Sequence, residues 1–201
     1  MTETPLFDSY FVAEVSPEIW ETFVSQHHAR VFPHEVSLPL NGALSAEEQI
    51  KMEALRQNMA GSLHLYLLLY DGDEPVGWHF GFQRNELEYH MASTAILPEY
   101  QNRGIYSAFL GYAKKRIFGE GFQYITSVHH CDNNAVLVPK LKAGFQIQAT
   151  GFLIQPMLFE ANYGPMLQLI CPAKELYRKL FNSHAGTQAL AEQLKQQLGL
   201  S

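Results

Sequence analysis

The stretch AILPEYQNRGIYSAFL, residues 95–110, constrains the fold of this chain more than any other part of it. An apolar run typical of a strand ends at Pro98, a short loop follows, and Gly104 opens an apolar run with helical spacing. The first amides of a helix have no partner inside it and carry the positive end of its dipole. Gly104 lets a ligand approach the backbone closely, and Asn102 and Arg103 could add side-chain donors. The junction therefore predicts an anion site, although an ordinary strand-to-helix turn explains the same local sequence.

Apolar periodicity along the rest of the chain predicts strands and helices in a mixed order. Ser16 followed by Pro17 marks a helix start, and Ser45 caps a second helix that Gly61 closes. The predicted order is one strand, two helices, three strands, a helix, a strand, a helix and two strands. Further helical patterns occupy residues 173–201. This order predicts an α+β fold, with a central mixed and mostly antiparallel sheet flanked by helices.

Composition and charge limit the function classes open to the chain. With 201 residues and 47% hydrophobic content it can bury one sizeable core, which predicts a single domain over residues 1–201. Its net charge of −6 is unlike the basic surface that nucleic-acid binding needs. The N-terminal sequence lacks the features of a signal peptide, and no apolar run is long enough to span a membrane. We therefore expect a soluble, cytoplasmic protein without nucleic-acid or membrane partners.

Two blocks of the sequence resemble the GNAT superfamily of N-acetyltransferases. In the first block an apolar strand and a Pro precede the pattern Q/R-x-x-G-x-G/A, where Gln101 and Gly104 match and Tyr106 replaces the family's small residue. The second block, NNAVLVPKLKAGF, matches N-x-x-A-x-x-x-Y-x-x-x-G-F at Asn133 and at its closing Gly-Phe pair. Lys140 stands where the family has a tyrosine that protonates the departing thiolate. The resemblance covers about residues 63–156.

The resemblance implies a GNAT-type sheet in which the strand before the motif and the strand after its helix splay apart. Acetyl-CoA, or another acyl-CoA, would lie in that gap as co-substrate. Its pantetheine arm would pair with the backbone of Ile96 and Leu97 and contact Asn133. Lys140 would touch the sulfur or a phosphate, unless it is a solvated helix lysine. The pyrophosphate would lie over the residues of the loop and first helical turn: Gln101, Asn102, Arg103, Gly104, Ile105, Tyr106 and Ser107.

The resemblance also implies direct attack of an amine on the thioester, with the backbone amide of Leu97 as the oxyanion donor. For the general base, the strand ELEYHMASTAILP offers Glu88 and His90 on one face, because side chains alternate with a period of two. A histidine with an ordinary pKa of about 6.5 accepts a proton near neutral pH. Burial of His90 within the sheet is the alternative, as is a solvated carboxylate for Glu88.

No metal is expected. The two cysteines, Cys131 and Cys171, show no zinc-type spacing. His129 and His130 are adjacent on a predicted strand, so their side chains point to opposite faces and do not easily reach one ion. The expected acceptor is a small-molecule amine or a protein amino group. A homodimer is a further expectation, since dimers are common in the superfamily.

Two other functions compete with catalysis by an N-acetyltransferase. A catalytically weak or silent GNAT-fold domain could bind acyl-CoA as a sensor or scaffold, and the departures at Tyr106 and Lys140 favour that alternative. An unrelated nucleotide-binding α/β domain is the other, but it leaves the block from Asn133 to Phe145 unexplained. The junction around Gly104 also lacks the Lys-Ser or Lys-Thr pair of a Walker loop and the glycines of a dinucleotide fingerprint.

Overall fold

The structure is a computed structural model of the chain, and it describes residues 3–33, 44–59, 61–157, 160–175, 178 and 195–196. Eight strands form one sheet in the order β1-β2-β3-β4-β5-β6-β8-β7. The strands are β1 (Glu3–Phe7), β2 (Tyr10–Glu14), β3 (His64–Asp71), β4 (Glu74–Gln83), β5 (Glu88–Ile96), β6 (Tyr124–His130), β7 (Gln146–Met157) and β8 (Glu160–Pro172). The helices of the described ranges are α1 (Pro17–Val31), α2 (Ala46–Asn58), α3 (Ile105–Gly119) and α4 (Asn134–Lys142).

The predicted fold class is confirmed. Neighbouring strands are antiparallel throughout this sheet except for β5 and β6, which run parallel because α3 connects them. The helix starts are also confirmed. Ser16 caps α1 by accepting a hydrogen bond from the amide of Ile19 at 3.5 Å, and Ser45 and Glu48 bond each other's amides at the start of α2.

The structure differs from the predicted element order in the N-terminal region. The N-terminal region holds two strands where we predicted one, because β1 pairs with β2 at the edge of the sheet. That edge strand is only half-buried and contains Pro5, so its apolar alternation is weak. The predicted helical tail, residues 173–201, lies almost entirely outside the described residues. No helix within the described ranges combines the length and the apolar character that crossing a membrane requires.

Side chains on the two faces of the sheet build two separate cores. Leu67 and Leu69 of β3 point into the core beneath α3 and α4, whereas Leu68 between them points into the core beneath α1. Phe109 of α3 is fully buried in the first core, and Trp20 of α1 is buried in the second. Helices α3 and α4 are thereby fixed to one face of the sheet and α1 to the other.

Strands β5 and β6 separate soon after they meet. They pair over three residues of each strand, Glu88–His90 against 124–126, although β5 continues to Ile96 and β6 to His130. On its other side β5 carries a bulge, since Met91 faces Gly81 and Ser93 faces Phe80. The residue between Met91 and Ser93 has no pairing partner on β4. Beyond it, each side chain of β5 points to the face opposite the one that simple alternation from Met91 would give. The splayed strand pair expected from the resemblance is therefore present.

Gly81 of β4 lies at the closest approach between β4 and β5. A Cβ at this position would stand 2.4 Å from the hydroxyl oxygen of Tyr89 and 2.5 Å from the carbonyl oxygen of His90. Tyr89 is fully buried and its hydroxyl lies 3.1 Å from Nε2 of His79, so the ring has no room to withdraw. A larger residue at Gly81 must push the two strands apart.

We therefore predict that Gly81→Ala lowers the free energy of unfolding by about 2 kcal/mol or more, through overpacking at the β4–β5 contact. The matched control is Gly111→Ala on α3, where a new Cβ meets no atom within 4 Å. Alanine in a helix should raise the stability there by up to about 1 kcal/mol. Urea unfolding measures both variants, and an unchanged midpoint for Gly81→Ala would contradict the prediction.

Candidate functional site

A cleft of ≈ 330 Å³ opens where β5 and β6 diverge. Its walls come from the end of β5, the loop that enters α3, the first turns of α3 and α4, and the end of α1. Seven of the predicted cofactor-binding residues line it: Ile96, Gln101, Asn102, Gly104, Tyr106, Ser107 and Asn133. The two sequence blocks, separated by about thirty residues of chain, thus meet at one cleft.

Four of the predicted cofactor-binding residues do not line this cleft. Ile105 and Leu97 are buried in the two cores. Arg103 turns back on its own loop, where Nη2 donates to the carbonyl of Glu99 at 2.9 Å and the guanidinium lies 5.5 Å from the ring centroid of Tyr100. The Arg103 guanidinium would have to leave these contacts to reach an anion. Lys140 is buried.

The start of α3 presents unused backbone amides to the cleft. Gly104 has φ 77 and ψ −6, a left-handed conformation that glycine adopts without strain. The helical hydrogen bond from Ala108 to the carbonyl of Gly104 is 3.2 Å long, so the amides of Ile105, Tyr106 and Ser107 precede it. Such amides, at the positive end of a helix, form a site suited to an anion.

The backbone of β5 offers a second set of polar groups, and their direction corrects one expectation. The amide of Leu97 donates to the carbonyl of Val76 on β4 at 2.9 Å, so it is occupied and cannot serve as the expected oxyanion donor. Because backbone groups alternate in direction along a strand, the amides of Thr94 and Ile96 face the opening instead. The carbonyl of Ile96 accepts from Nε2 of Gln101 at 2.9 Å, which ties the loop to the strand end.

His90 and Glu88 belong to one hydrogen-bonded chain that also includes Thr126. Nδ1 of His90 lies 3.0 Å from Oγ1 of Thr126, and that hydroxyl donates to Oε1 of Glu88 at 2.6 Å. Since the hydroxyl hydrogen goes to Glu88, the imidazole proton lies on Nδ1 and the lone pair on Nε2. Thr126 was missed by sequence reasoning, because only the pairing of β5 with β6 brings it beside His90.

The protonation of His90 also differs from the expectation. The residue is 3% exposed. Burial, assisted by the positive charges of Arg84 and Lys140 and opposed by Glu88, lowers the pKa of His90 to about 4. The imidazole is therefore neutral at pH 7. The expectation that it titrates near neutral pH is not met.

A second chain of buried polar groups crosses the cleft wall. Oγ1 of Thr94, a cleft residue, lies 2.8 Å from Nδ1 of His79, whose Nε2 lies 3.1 Å from the hydroxyl of Tyr89. Complete burial lowers the pKa of His79 to about 3, so this ring too is neutral. His79 was not among the predicted residues. Its position in WHFGF shows only an alternating strand, and nothing local indicates its partner.

Two further predicted residues carry buried polar groups: Tyr106, which lines the cleft, and Lys140, which does not. Lys140 is 1% exposed, so the solvated lysine considered from the sequence is not what the structure contains. The hydroxyl of Tyr106 is buried without a hydrogen-bond partner among the described residues, and burial raises the pKa of this tyrosine. Nε2 of His129 lies 3.1 Å from Oγ of Ser127. Within the described ranges, no group of three His, Cys, Asp or Glu side chains is arranged to hold a metal ion.

Comparison with known proteins identifies the family. The model of the acetyltransferase (GNAT) family matches residues 18–145, which is more than half of the chain. The chain belongs to the GNAT acetyltransferase family, as the two sequence blocks predicted. No curated protein gives a significant sequence match.

Many solved structures share the fold. The ribosomal-protein-S18-alanine N-acetyltransferase from Escherichia coli has a TM-score of 0.59 at 14% identity, over 83% of this chain and 97% of that one. The ribosomal-protein-S5-alanine acetyltransferase from Vibrio fischeri has the same TM-score of 0.59 and identity of 14%, over 87% and 98%. A GNAT acetyltransferase from Elizabethkingia anophelis with acetyl-CoA bound has a TM-score of 0.55 at 13% identity, over 83% and 99%. At such low sequence identities, the structural similarity establishes the fold alone.

The lowered pKa of His90 predicts a specific pH dependence of stability. Between the ordinary pKa of 6.5 and the folded value of about 4, the unfolded chain binds a proton that folded His90 does not. The stability that neutral His90 contributes is therefore complete above pH 6.5 and is lost as the pH falls towards 4. At pH 5 the loss from this group should be roughly 2 kcal/mol relative to pH 7.

Urea unfolding of the wild type and of His90→Gln at pH 7 and pH 5 measures this contribution. The wild type should lose more stability than the variant over that interval, because His79 and His129 remain in both proteins. Equal losses would show that His90 is not held neutral by the fold.

Proposed function

We propose that this chain is an acetyl-CoA-dependent N-acetyltransferase that transfers the acetyl group to a primary amine by direct attack. The observation that carries the proposal is the cleft between separated β5 and β6, with the unused amides of α3 at its mouth. Membership of the GNAT family supports it. So does the fold shared with an acetyltransferase that has acetyl-CoA bound.

In the proposed complex, each part of the cofactor has a matching part of the cleft. The pyrophosphate lies over the amides from Ile105 to Ser107, where Gly104 leaves the backbone accessible. The pantetheine arm runs along β5 and pairs with the groups of Thr94 and Ile96 that face the opening, while Asn133 contacts it from the opposite wall. A cleft of ≈ 330 Å³ is within the range typical of small-molecule sites.

The chemistry needs a base and an oxyanion donor. The amine attacks the thioester carbonyl, and the oxygen that becomes negative accepts from the amide of Ile96 or Thr94. Nε2 of His90 takes the proton from the attacking nitrogen, and the chain through Thr126 to Glu88 stabilises the imidazolium that forms. A base with a pKa of about 4 is weak, so the proton moves only once the nitrogen has begun to bond. We propose Glu88 as the residue that orients His90.

The acceptor is proposed as a class. Two proteins that share the fold are named for acetylating alanine of ribosomal proteins. A protein amino group is therefore one candidate, and a small-molecule amine is the other. We also retain, as predictions from the sequence, one domain over residues 1–201, a cytoplasmic location, a homodimer, and the absence of a metal or nucleic-acid partner.

A sensor or scaffold that binds acyl-CoA without turnover is the second candidate. One observation favours it: His90 is buried and its pKa of about 4 makes it a poor base at neutral pH. Thiol release from acetyl-CoA, measured over a panel of amines, amino acids and peptides, separates the two candidates. Binding of acetyl-CoA without thiol release on any acceptor would support the sensor.

The cofactor site is tested by a pair of glycine variants. Gly104 (φ +77) and Gly121 (φ +100) are both left-handed with open space around them, so alanine costs similar backbone strain at either position. Only Gly104 lines the cleft. Gly104→Ala should weaken acetyl-CoA binding about tenfold or more in calorimetry, because the new Cβ meets the pyrophosphate. Gly121→Ala should bind normally, and equal affinities would place the pyrophosphate elsewhere.

The proposed base is tested by His90→Gln. We expect turnover of acetyl-CoA with an amine from the panel to fall roughly 10- to 100-fold, because the proton has no acceptor. The calorimetric affinity for acetyl-CoA should be retained, since His90 lies on the face of β5 opposite Tyr89 and Met91. His27→Gln on α1 is the control and should be as active as the wild type. A His90→Gln variant with full activity would remove this residue from the mechanism.

A further inference from the structure

Lys140 is buried beside the cleft and does not line it. It lies one helical turn beyond Val136, on the same face of α4, and Val136 and its neighbour Pro139 line the cleft. Its Nζ is 3.9 Å from Sδ of Met91. Met91 directly follows His90, the last residue of β5 that pairs with β6. The ammonium group therefore lies at the point where the two strands begin to separate.

The surroundings of Lys140 do not neutralise its charge. Its other close contact is the ring of Phe145, with Nζ 4.9 Å from the centroid. No carboxylate forms an ion pair with it within the described residues. A buried ammonium without a carboxylate destabilises a fold, so a side chain kept in this state beside the residues that line a cleft indicates a chemical task.

Resting on the proposed function, we propose that Lys140 is the proton donor to the sulfur of coenzyme A when the thioester breaks. The amine nitrogen forms its bond to the carbonyl carbon, the carbon–sulfur bond breaks, and its electron pair stays on sulfur. The proton on Nζ then moves to that sulfur, so coenzyme A leaves as the thiol and Lys140 becomes neutral. Solvent returns a proton to Lys140, and the proton that left the amine reaches solvent through His90.

The two proton transfers occur on opposite faces of the sheet. His90 and Met91 are neighbours on β5, so their side chains point to opposite faces. The ring of His90 lies 5.5 Å from that of Phe82 on the face beneath α1, whereas Lys140 reaches Met91 from the face beneath α4. The acceptor amine and the leaving thiol are thus separated by the plane of the sheet, and one group does not have to serve both.

Lys140 differs from its titratable neighbours in the pH at which it changes charge. Burial lowers its pKa to about 7, so it is an acid that loses its proton within the working range of pH. The titratable groups that interact electrostatically with it are His79 on β4, His129 on β6 and Cys171 on β8, and also His90, which points to the other face of β5. The histidines have lowered pKa values and Cys171 a raised one, so these groups stay neutral around pH 7. The ammonium of Lys114 on α3 lies beyond Phe145 and bonds the carbonyl of Ala143.

The first experiment uses binding, so it does not depend on the identity of the acceptor. Coenzyme A is bound to the wild type, Lys140→Met and Lys142→Met, and the thiol is titrated through the ultraviolet absorbance of its thiolate. In the wild type and in Lys142→Met, an exposed control on the same helix, the ammonium should lower the thiol pKa by about 1–3 units. Lys140→Met should restore the free thiol pKa while binding desulfo-coenzyme A as tightly as the wild type.

The outcomes separate this proposal from the proposed function. If the wild type binds no coenzyme A, the proposed function fails. If it binds coenzyme A and the thiol titrates alike in the wild type and Lys140→Met, the proton-donor role fails and the cofactor site stands. Thermal melting checks the fold of each variant, and Lys140→Met should melt no lower than the wild type, because methionine removes a buried charge at similar volume.

The second experiment uses an amine acceptor from the panel. The wild-type kcat should fall above pH 7 as Lys140 loses its proton. Lys140→Met should lower kcat roughly 10- to 100-fold, abolish that fall and leave KM for acetyl-CoA nearly unchanged. Lys140→Tyr, which restores a proton donor of higher pKa, should recover part of kcat and move the fall to higher pH. A wild-type pH profile retained by Lys140→Met would overturn the proposal.

Discussion

Three residue pairs hold β5 against β6, and beyond them the strands separate into the cleft. Separation leaves backbone donors and acceptors along β5 without the partners that a continuous sheet would supply. Such groups need other hydrogen-bond partners. The start of α3, at the end of β5, adds further amides without partners. A long ligand with amide groups along its arm and a phosphate at one end matches both sets. The proposed acetyl-CoA site is thus mainly a property of the backbone, so it accommodates the unusual Tyr106.

The same separation divides the site into two environments. On the face beneath α1, His90 is tied to Thr126 and Glu88, and on the face beneath α4, Lys140 lies against Met91 and Phe145. Burial favours the neutral form of both bases, which lowers the pKa of His90 to about 4 and that of Lys140 to about 7. At neutral pH one group is therefore a proton acceptor, and the other still carries a proton to donate. The sheet keeps the two apart.

Seven residues that line the cleft were predicted from the sequence, whereas the partners of the buried polar groups were not. Gln101, Gly104 and Asn133 are close to ends of elements, where local signals such as a left-handed glycine or a helix start are strong. The amide of Leu97, predicted as the oxyanion donor, is occupied by the carbonyl of Val76, and the proposed donor is instead the amide of Ile96 or Thr94. Which amides of β5 face the cleft depends on which of them bond to β4. The bonding partner of the Leu97 amide, Val76, lies twenty-one residues earlier in the chain, so local sequence does not reveal it.

The sequence by itself determined the order of most elements, the caps of α1 and α2, the helix start at Gly104 and the family. These features depend on neighbours within a few residues, whose spacing can be read along the chain. Only the tertiary structure decided the edge strand β1, the bonds of His79 to Thr94 and of His90 to Thr126, and the burial of Lys140. Burial and protonation depend on side chains brought together from distant parts of the sequence. A residue's type and spacing do not reveal its electrostatic surroundings.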